Sequence, residues 1–335
     1  MQAYRLESHT GLDALRRVDL PDPTLAPDEI LVRVRANAIN YRDLSMPLGG
    51  YPRNDKIPLI PLSDAAGEVI DVGSDVTEFK PGDRVANCFF RDWIDGDINE
   101  QQMHTAHGGG IDGVLAQFIG LKQHAAVHIP AHLSFQQAAT LPCAAVTAWQ
   151  ALTAADLNPD QTILTLGTGG VSIFALQLAK TAGARVIITS SSDEKLDRAR
   201  ALGADLTINY KTHPDWETEV RKLTDGIGVD NVVELGGVGT LEKSLAAAKV
   251  SGTVSLIGIL ARGENPSPLP VLFNRLTVRG IYVGSRAMFQ QLNRTLETHQ
   301  IQPVIDQCIP FADAPRAYDL LQSAKHFGKI VIKHD

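Results

Sequence analysis

The sequence is poor in cysteine, in aromatic residues and in excess positive charge. Three cysteines stand among 335 residues. Cys88, Cys143 and Cys308 lie far apart and are odd in number, so they give no disulfide framework and suit a reducing cytoplasm. Lysine and arginine total 31 against 38 acidic residues, a net charge of −7. That balance argues against the basic surface of a nucleic-acid binder. No apolar run is long enough to span a membrane, and the opening "MQAYRLESHTGLD" lacks a basic start followed by an apolar stretch. A cytoplasmic protein with no membrane and no nucleic-acid partner is expected. Apolar residues make up 44% of the chain, enough for a substantial core, and the length suits two domains.

Two patterns divide the chain. "EILVRVRANAIN" (29–40) alternates Ile30, Val32, Val34 and Ala36 with Leu31, Arg33 and Arg35, the period of a half-buried strand. "AAGEVIDVGSDV" and "FKPGDRVANCFF" continue it, with turn signals at Gly73 and Pro81-Gly82-Asp83. From about 135 helical spacing takes over in "SFQQAATLPCAAVTAWQAL", with Ser134 placed to cap it. Short β-rich runs then alternate with helices as far as "GTVSLIGI", which predicts βαβ units and a parallel sheet. "LTVRGIYVG" (276–284) reads as a further strand. The tail gives a helix and a last strand, "GKIVIK", expected to return to the first domain. Residues 91–113 are acidic, glycine-rich and aperiodic. Two readings fit this long loop, a functional or mobile segment and a solvated excursion.

"ILTLGTGGVSIFALQLAK" runs strand, glycine turn, helix. Gly167 permits the tight turn, and Gly169 and Gly170 let the backbone approach a pyrophosphate at the helix N-terminus, with Thr168 and Val171 completing the turn. Ser172 stands where the last glycine of GxGxxG would be. After the next strand an acid normally accepts from both ribose hydroxyls and repels a 2′-phosphate. In "RVIITSSSDEK" that position is Ser190. Asp193 and Glu194 fall in the first turn of the next helix, where negative charge suits the macrodipole. Ser191 and Glu194 have capping-box spacing. Lys195 and Arg198 either approach a phosphate or form a solvated helix face. The stretch favours NADPH over NADH.

"LPCAAVTAWQAL" (141–152), "GTGGVS", "AGEVIDVGSDVTEFKPGDRV" (66–85) and "NAINYRDL" (37–44) together resemble the medium-chain dehydrogenase/reductase superfamily over essentially the whole chain. Within it they are most similar to the zinc-free quinone oxidoreductase and enoyl reductase branch. The resemblance implies an α/β protein with a GroES-like antiparallel β domain over 1–126 and 289–335. A Rossmann domain with a doubly wound parallel sheet is implied over 127–288. It also implies a homodimer joined through the Rossmann sheets, with "NRLTVRGIYVG" as the exposed edge.

Zinc-dependent relatives hold their catalytic metal through a cysteine, a histidine and a later cysteine. Here the matching positions are Asn40, Ser63 and Cys143, so two of three good ligands are lost. The four cysteines of the relatives' structural-zinc lobe are absent from 91–113. His104, His107, His124, His128 and His132 need not share a face. No zinc is expected. The resemblance places Tyr51, in "GGYP", where zinc-free relatives carry an active-site tyrosine able to donate a proton; a plain turn aromatic is the other reading. Asn40 becomes a neutral polar contact at the vacated metal position. Arg42 either pairs with Asp43 or frames the cleft, and Asp43 reads as structural. Arg286 matches an arginine near the cofactor that steers a carbonyl or contacts phosphate; a helix-capping surface role also fits. Thr147 and the backbone of Gly258, Ile259 and Leu260 match positions that hold the nicotinamide. Tyr210 matches one that touches the 2′-phosphate. The expected activity is NADPH-dependent reduction of a small quinone or α,β-unsaturated carbonyl substrate. Its rivals are a metal-free alcohol or aldehyde dehydrogenase and a dinucleotide-binding sensor of low turnover.

Overall fold

The structure, a computed structural model, describes residues 1–51, 56–258, 260, 263 and 266–334. The chain forms two compact units, Met1–Val146 with Gly284–Asp335, and Thr147–Val283. Residues 127–146, assigned from the sequence to the dinucleotide domain, cluster with the first unit. Their strand Ala126–His128 pairs with Arg84–Asn87 there. No helix among the described residues is long and apolar enough to cross a membrane.

The first unit is built on a seven-stranded sheet. Its order is Ile305–Pro310, Lys329–Lys333, Glu29–Ile39, Asp64–Val72, Arg84–Asn87 and Ala126–His128, with Phe118–Lys122 also paired to Glu29–Ile39. All its pairings are antiparallel except Ile305–Pro310 with Lys329–Lys333. The alternation read at 29–40 holds, since Ile30, Val32, Val34 and Ala36 are buried. Ile30, Val32 and Val34 pack with Val69, Val85, Leu115 and Ile119 in one apolar core. The last strand returns to Glu29–Ile39 with Ile330 opposite Ile39. This return places Lys329 beside the end of that strand.

The segment after Cys88 is an ordered lobe and not a solvated excursion. Phe89, Phe90 and Trp93 are buried. Asn99 and Gln102 cap a short helix, Glu100–Met103. The glycines serve close approach: a Cβ at Gly108 or Gly113 would lie 2.5 or 2.1 Å from the Leu62 carbonyl oxygen. Only a residue without a side chain lets the two backbones meet there.

The second unit carries a six-stranded parallel sheet in the order Leu206–Asn209, Arg185–Ser190, Thr162–Thr165, Val229–Glu234, Ala248–Leu256, Thr277–Gly280. In chain order the first three strands step outward on one side, and the fourth, Val229–Glu234, returns to the other side of the first, which is the doubly wound arrangement. The further strand expected at 276–284 is shorter, Thr277–Gly280, and forms the edge. The helical stretch after Ser134 is broken by a π turn at Leu141–Ala145 that contains Pro142. Proline removes an amide donor from the ladder, so the wider turn accommodates it.

Candidate functional site

In the second unit the strand Thr162–Thr165 leads through Gly167, at φ +76°, into the helix Gly170–Thr181. A Cβ at Gly167 or Gly169 would meet nothing within 4 Å, so the turn faces open space. Gly169 caps the helix, and Thr168 and Val171 complete the turn. Buried Ser172 donates through Oγ to the Leu166 carbonyl at 2.7 Å. That bond ties the helix to the strand, the function of the motif's last glycine, and accounts for a serine at this position. The residues fit a dinucleotide, because open amides at the N-terminus of a long helix favour an anionic pyrophosphate.

Ser190 ends its strand, and its carbonyl accepts from Tyr210 N at 3.0 Å. The cap of the next helix, Asp193–Ala201, is Ser192, whose Oγ accepts from Lys195 N at 3.4 Å. This corrects the Ser191–Glu194 pairing by one residue, since the strand runs through Ser190 and Ser191 makes the bend. Asp193 accepts from Asn209 Nδ2 at 2.8 Å, which directs it toward the third strand. Ser190, Ser191, half-buried Lys195 and exposed Tyr210 thus border the strand end with no carboxylate at the ribose position. Thr147 is buried in the helix Val146–Thr153. Gly258 N donates to the Glu234 carbonyl at 3.0 Å. A Cβ on Gly258 would overlap the Leu235 carbonyl, so glycine is required there. Leu260 is exposed, and Ile259 lies outside the described residues.

The first unit gathers the residues matched to the metal positions into a buried polar cluster. Asn40 precedes the helix Tyr41–Ser45, and Asp43 Oδ2 accepts from Asn40 N at 2.8 Å. Ser63 Oγ donates to Asp64 Oδ1 at 2.6 Å, and Cys143 N donates to Asp64 Oδ2 at 3.2 Å. Lys329, 3% exposed, donates to the Ile39 carbonyl at 2.8 Å and to Asn40 Oδ1 at 2.5 Å. Burial pushes Asp43 up to about 6 against the neighbouring Arg42 charge. Burial also raises Asp64, against Lys329 and the Ser63 hydrogen bond. The Cys143 thiol is held well above its ordinary pKa by burial and by Asp64.

These residues do not form a zinc set. The Asn40 oxygen receives an ammonium and Ser63 donates to an acid, so two of the three matched positions offer no good ligand atom. The histidines are dispersed as well. His107 Nδ1 meets the Cys88 and Phe89 carbonyls at 3.0 and 3.3 Å, His124 meets Asp92 at 3.1 Å, and His132 meets the Ile301 carbonyl at 3.1 Å.

Arg42 is buried and straps the lobe. Its guanidinium donates to the His107 and Gly108 carbonyls at 2.8 and 3.0 Å. It stacks 4.8 Å from the Phe89 ring centroid and 5.0 Å from that of Tyr51. Tyr51, half-buried, is therefore oriented by Arg42. Arg286 begins the helix Arg286–His299 after the cap Ser285 and binds the Ala126 carbonyl at 3.1 Å and the Glu78 carboxylate. Of the readings of Arg286, the helix-start role within the first unit is the one these contacts occupy. Lys329 and Asp64 escaped the sequence reading. Their signal was a lysine opening an apolar strand on the same face as buried Val331.

Two family profiles match the chain: one described as an alcohol dehydrogenase GroES-like domain over residues 26–131, one as a zinc-binding dehydrogenase over residues 170–298. A zinc-type alcohol dehydrogenase-like protein of Schizosaccharomyces pombe is 43% identical over 335 residues, covering 97% of each chain. A 2-methylene-furan-3-one reductase of Solanum lycopersicum is 31% identical over 338 residues, 99% of this chain and 79% of its own. The solved structure of an NAD-dependent alcohol dehydrogenase superposes with a TM-score of 0.89 at 32% identity, over 99% of both chains.

Proposed function

The chain belongs to the medium-chain dehydrogenase/reductase superfamily, and within it we propose a zinc-free, NADPH-dependent reductase of α,β-unsaturated carbonyl compounds or quinones. One observation carries the reading. At the family's metal position the Asn40 oxygen is held by the Lys329 ammonium, so the site offers hydrogen-bond donors and no ligand set. Without a Lewis acid, a conjugated carbonyl is the better electrophile, because charge arriving at its β-carbon spreads to oxygen. The relative named for a methylene-furanone supports the same class.

The Gly167–Val171 turn would hold a dinucleotide, which would supply hydride chemistry to a conjugated carbonyl. Asn40 would serve the substrate as a neutral polar contact within its buried cluster. Tyr51 delivers the proton that completes the saturated carbonyl, since a phenol is protonated near neutral pH. The absence of an acid at Ser190, with Lys195 beside it, supports NADPH over NADH. The exposed edge strand Thr277–Gly280, with Leu269, Leu272 and Phe273 exposed nearby, supports a homodimer.

The relatives' names favour a second reading, an alcohol dehydrogenase. Reduced-cofactor consumption with a panel of enones, quinones and aldehydes separates the two. Turnover of enones or quinones is expected, and turnover of aldehydes alone would support the rival. Tight NADPH binding with no turnover on any of them would indicate a sensor.

A further inference from the structure

The second unit carries an acid beside the ribose position that points elsewhere. Asp193 follows Ser190 by three residues, is exposed, and opens the helix Asp193–Ala201. Its Oδ1 accepts from Asn209 Nδ2 at 2.8 Å. The Asn209 amide is committed to this orientation. Its Oδ1 accepts from Lys211 N at 3.0 Å, and a backbone N–H only donates, so the nitrogen is the end left for Asp193. The Asn209 backbone is fixed as well. Its carbonyl accepts from His213 N at 2.9 Å and from Thr212 Oγ1 at 3.1 Å. Asn209 stands directly opposite Ser190 in the parallel ladder, where neighbouring strands lie about 4.8 Å apart. The carboxylate it holds is therefore near the strand end, at a range where two charges still act on each other through water, about 10 Å.

We propose that Asn209 is a positioning residue for cofactor choice: its amide N–H anchors the Asp193 carboxylate toward the third strand and so keeps the acid nearest in sequence to Ser190 away from the ribose 2′ position. The proposal rests on the NADPH reading for its ligand, and the anchoring itself stands on the hydrogen bonds of Asn209. A charge-assisted bond of this kind orients the carboxylate and occupies one of its oxygens. Released, the side chain regains its other rotamers. It then acts as acids at this end of the strand act, accepting from ribose hydroxyls and repelling a 2′-phosphate.

The test reads binding and not turnover. Dissociation constants of NADPH and NADH are measured by fluorescence titration for the wild type, Asn209→Ala, Asp193→Ala and the double variant. Asn209→Ala releases the acid, and the ratio of NADPH to NADH affinity should fall on the order of 5-fold, mostly through weaker NADPH binding. In the Asp193→Ala background the same substitution should leave the ratio where it was, because Asn209 acts through that carboxylate. A role confined to shaping the turn through Lys211 N would move both cofactors alike and persist without Asp193.

An unchanged ratio in Asn209→Ala, or an equal fall in both backgrounds, would overturn the proposal. Equal affinities in the wild type would remove the NADPH reading alone. The fall on Asn209→Ala, and its loss in the absence of Asp193, would still decide the anchoring.

Discussion

Each unit buries carboxylates beside its site, and the two units treat them differently. Glu234, fully buried in the second unit, is saturated by neutral donors. One oxygen accepts from Gly236 N at 2.7 Å, Gly237 N at 2.9 Å and Thr240 Oγ1 at 2.6 Å, and the other from Ser244 Oγ. Its own carbonyl accepts from Ile257 N and Gly258 N. One residue thus pins the turn after its strand to the turn after the next. In the first unit Asp43 has a single hydrogen bond, from Asn40 N, and its Oδ1 has no partner among the described residues. A buried acid met on all sides by donors is scaffold. A buried acid left partly unmet beside an ammonium stores an electrostatic imbalance, and such imbalance collects at functional sites.

The largest expected effect breaks the saturated side. Glu234→Ala strands two backbone amides and two hydroxyls, which should cost about 4 kcal/mol of stability in urea unfolding. A loss below about 1 kcal/mol would mean that the turns hold without the acid.

The next concerns the unsatisfied side and pH. Asp43 has a folded pKa of about 6 against 3.8 when exposed. A raised acid contributes stability that is present below 3.8 and lost as pH rises through 6. Asp43→Asn should therefore gain on the wild type by about 3 kcal/mol between pH 4 and pH 8. His107 and His334 act with the opposite sign. Burial lowers both to about 4, so their contribution is present above 6.5 and lost as pH falls toward 4. Parallel pH–stability curves for wild type and Asp43→Asn would contradict the shift.

The cofactor preference is smaller. NADPH should bind on the order of 10- to 100-fold more tightly than NADH, since a phosphate gains charge-assisted hydrogen bonds that solvent and salt partly screen. Ser190→Asp should erode the preference, and Lys195→Ala should weaken NADPH binding while barely touching NADH. Equal dissociation constants in the wild type would make the serines merely a strand end and helix start.

The smallest concerns the lobe. An added Cβ at Gly109 would lie 2.7 Å from Arg42 Nη2. Gly109→Ala should displace the guanidinium, cost about 1 kcal/mol and expose 104–110 to protease. An unchanged digestion pattern would show that the lobe does not depend on the Arg42 strap.

The βαβ half was the more legible, because local rules govern it. A strand, a glycine turn and an amphipathic helix are neighbours in sequence, and "GTGGVS" marked its turn and helix start despite the serine. The alternation at 29–40 revealed its strand for the same reason. What stayed hidden joins distant residues. Lys329 meets Asn40 across 289 positions, and nothing in "GKIVIK" says which strand it returns to or what its first lysine touches. The 91–113 segment looked aperiodic because its order comes from Arg42 and from backbone contacts with Leu62, neither of which has a period. Ser192 replaced Ser191 as the cap because the strand before it held one residue longer. Glu234 gave no signal, for an acid at a strand end reads as solvated until its four donors are seen together.

The central claim is that the polar cluster of Asn40, Ser63, Asp64 and Lys329 serves reduction of a conjugated carbonyl with no metal. The most direct measurement is the rate of NADPH oxidation with a conjugated enone after exhaustive chelation, with zinc counted by elemental analysis in the same sample. The account predicts an unchanged rate with no stoichiometric zinc. One equivalent of zinc, or a rate that vanishes on chelation and returns with added metal, would contradict it.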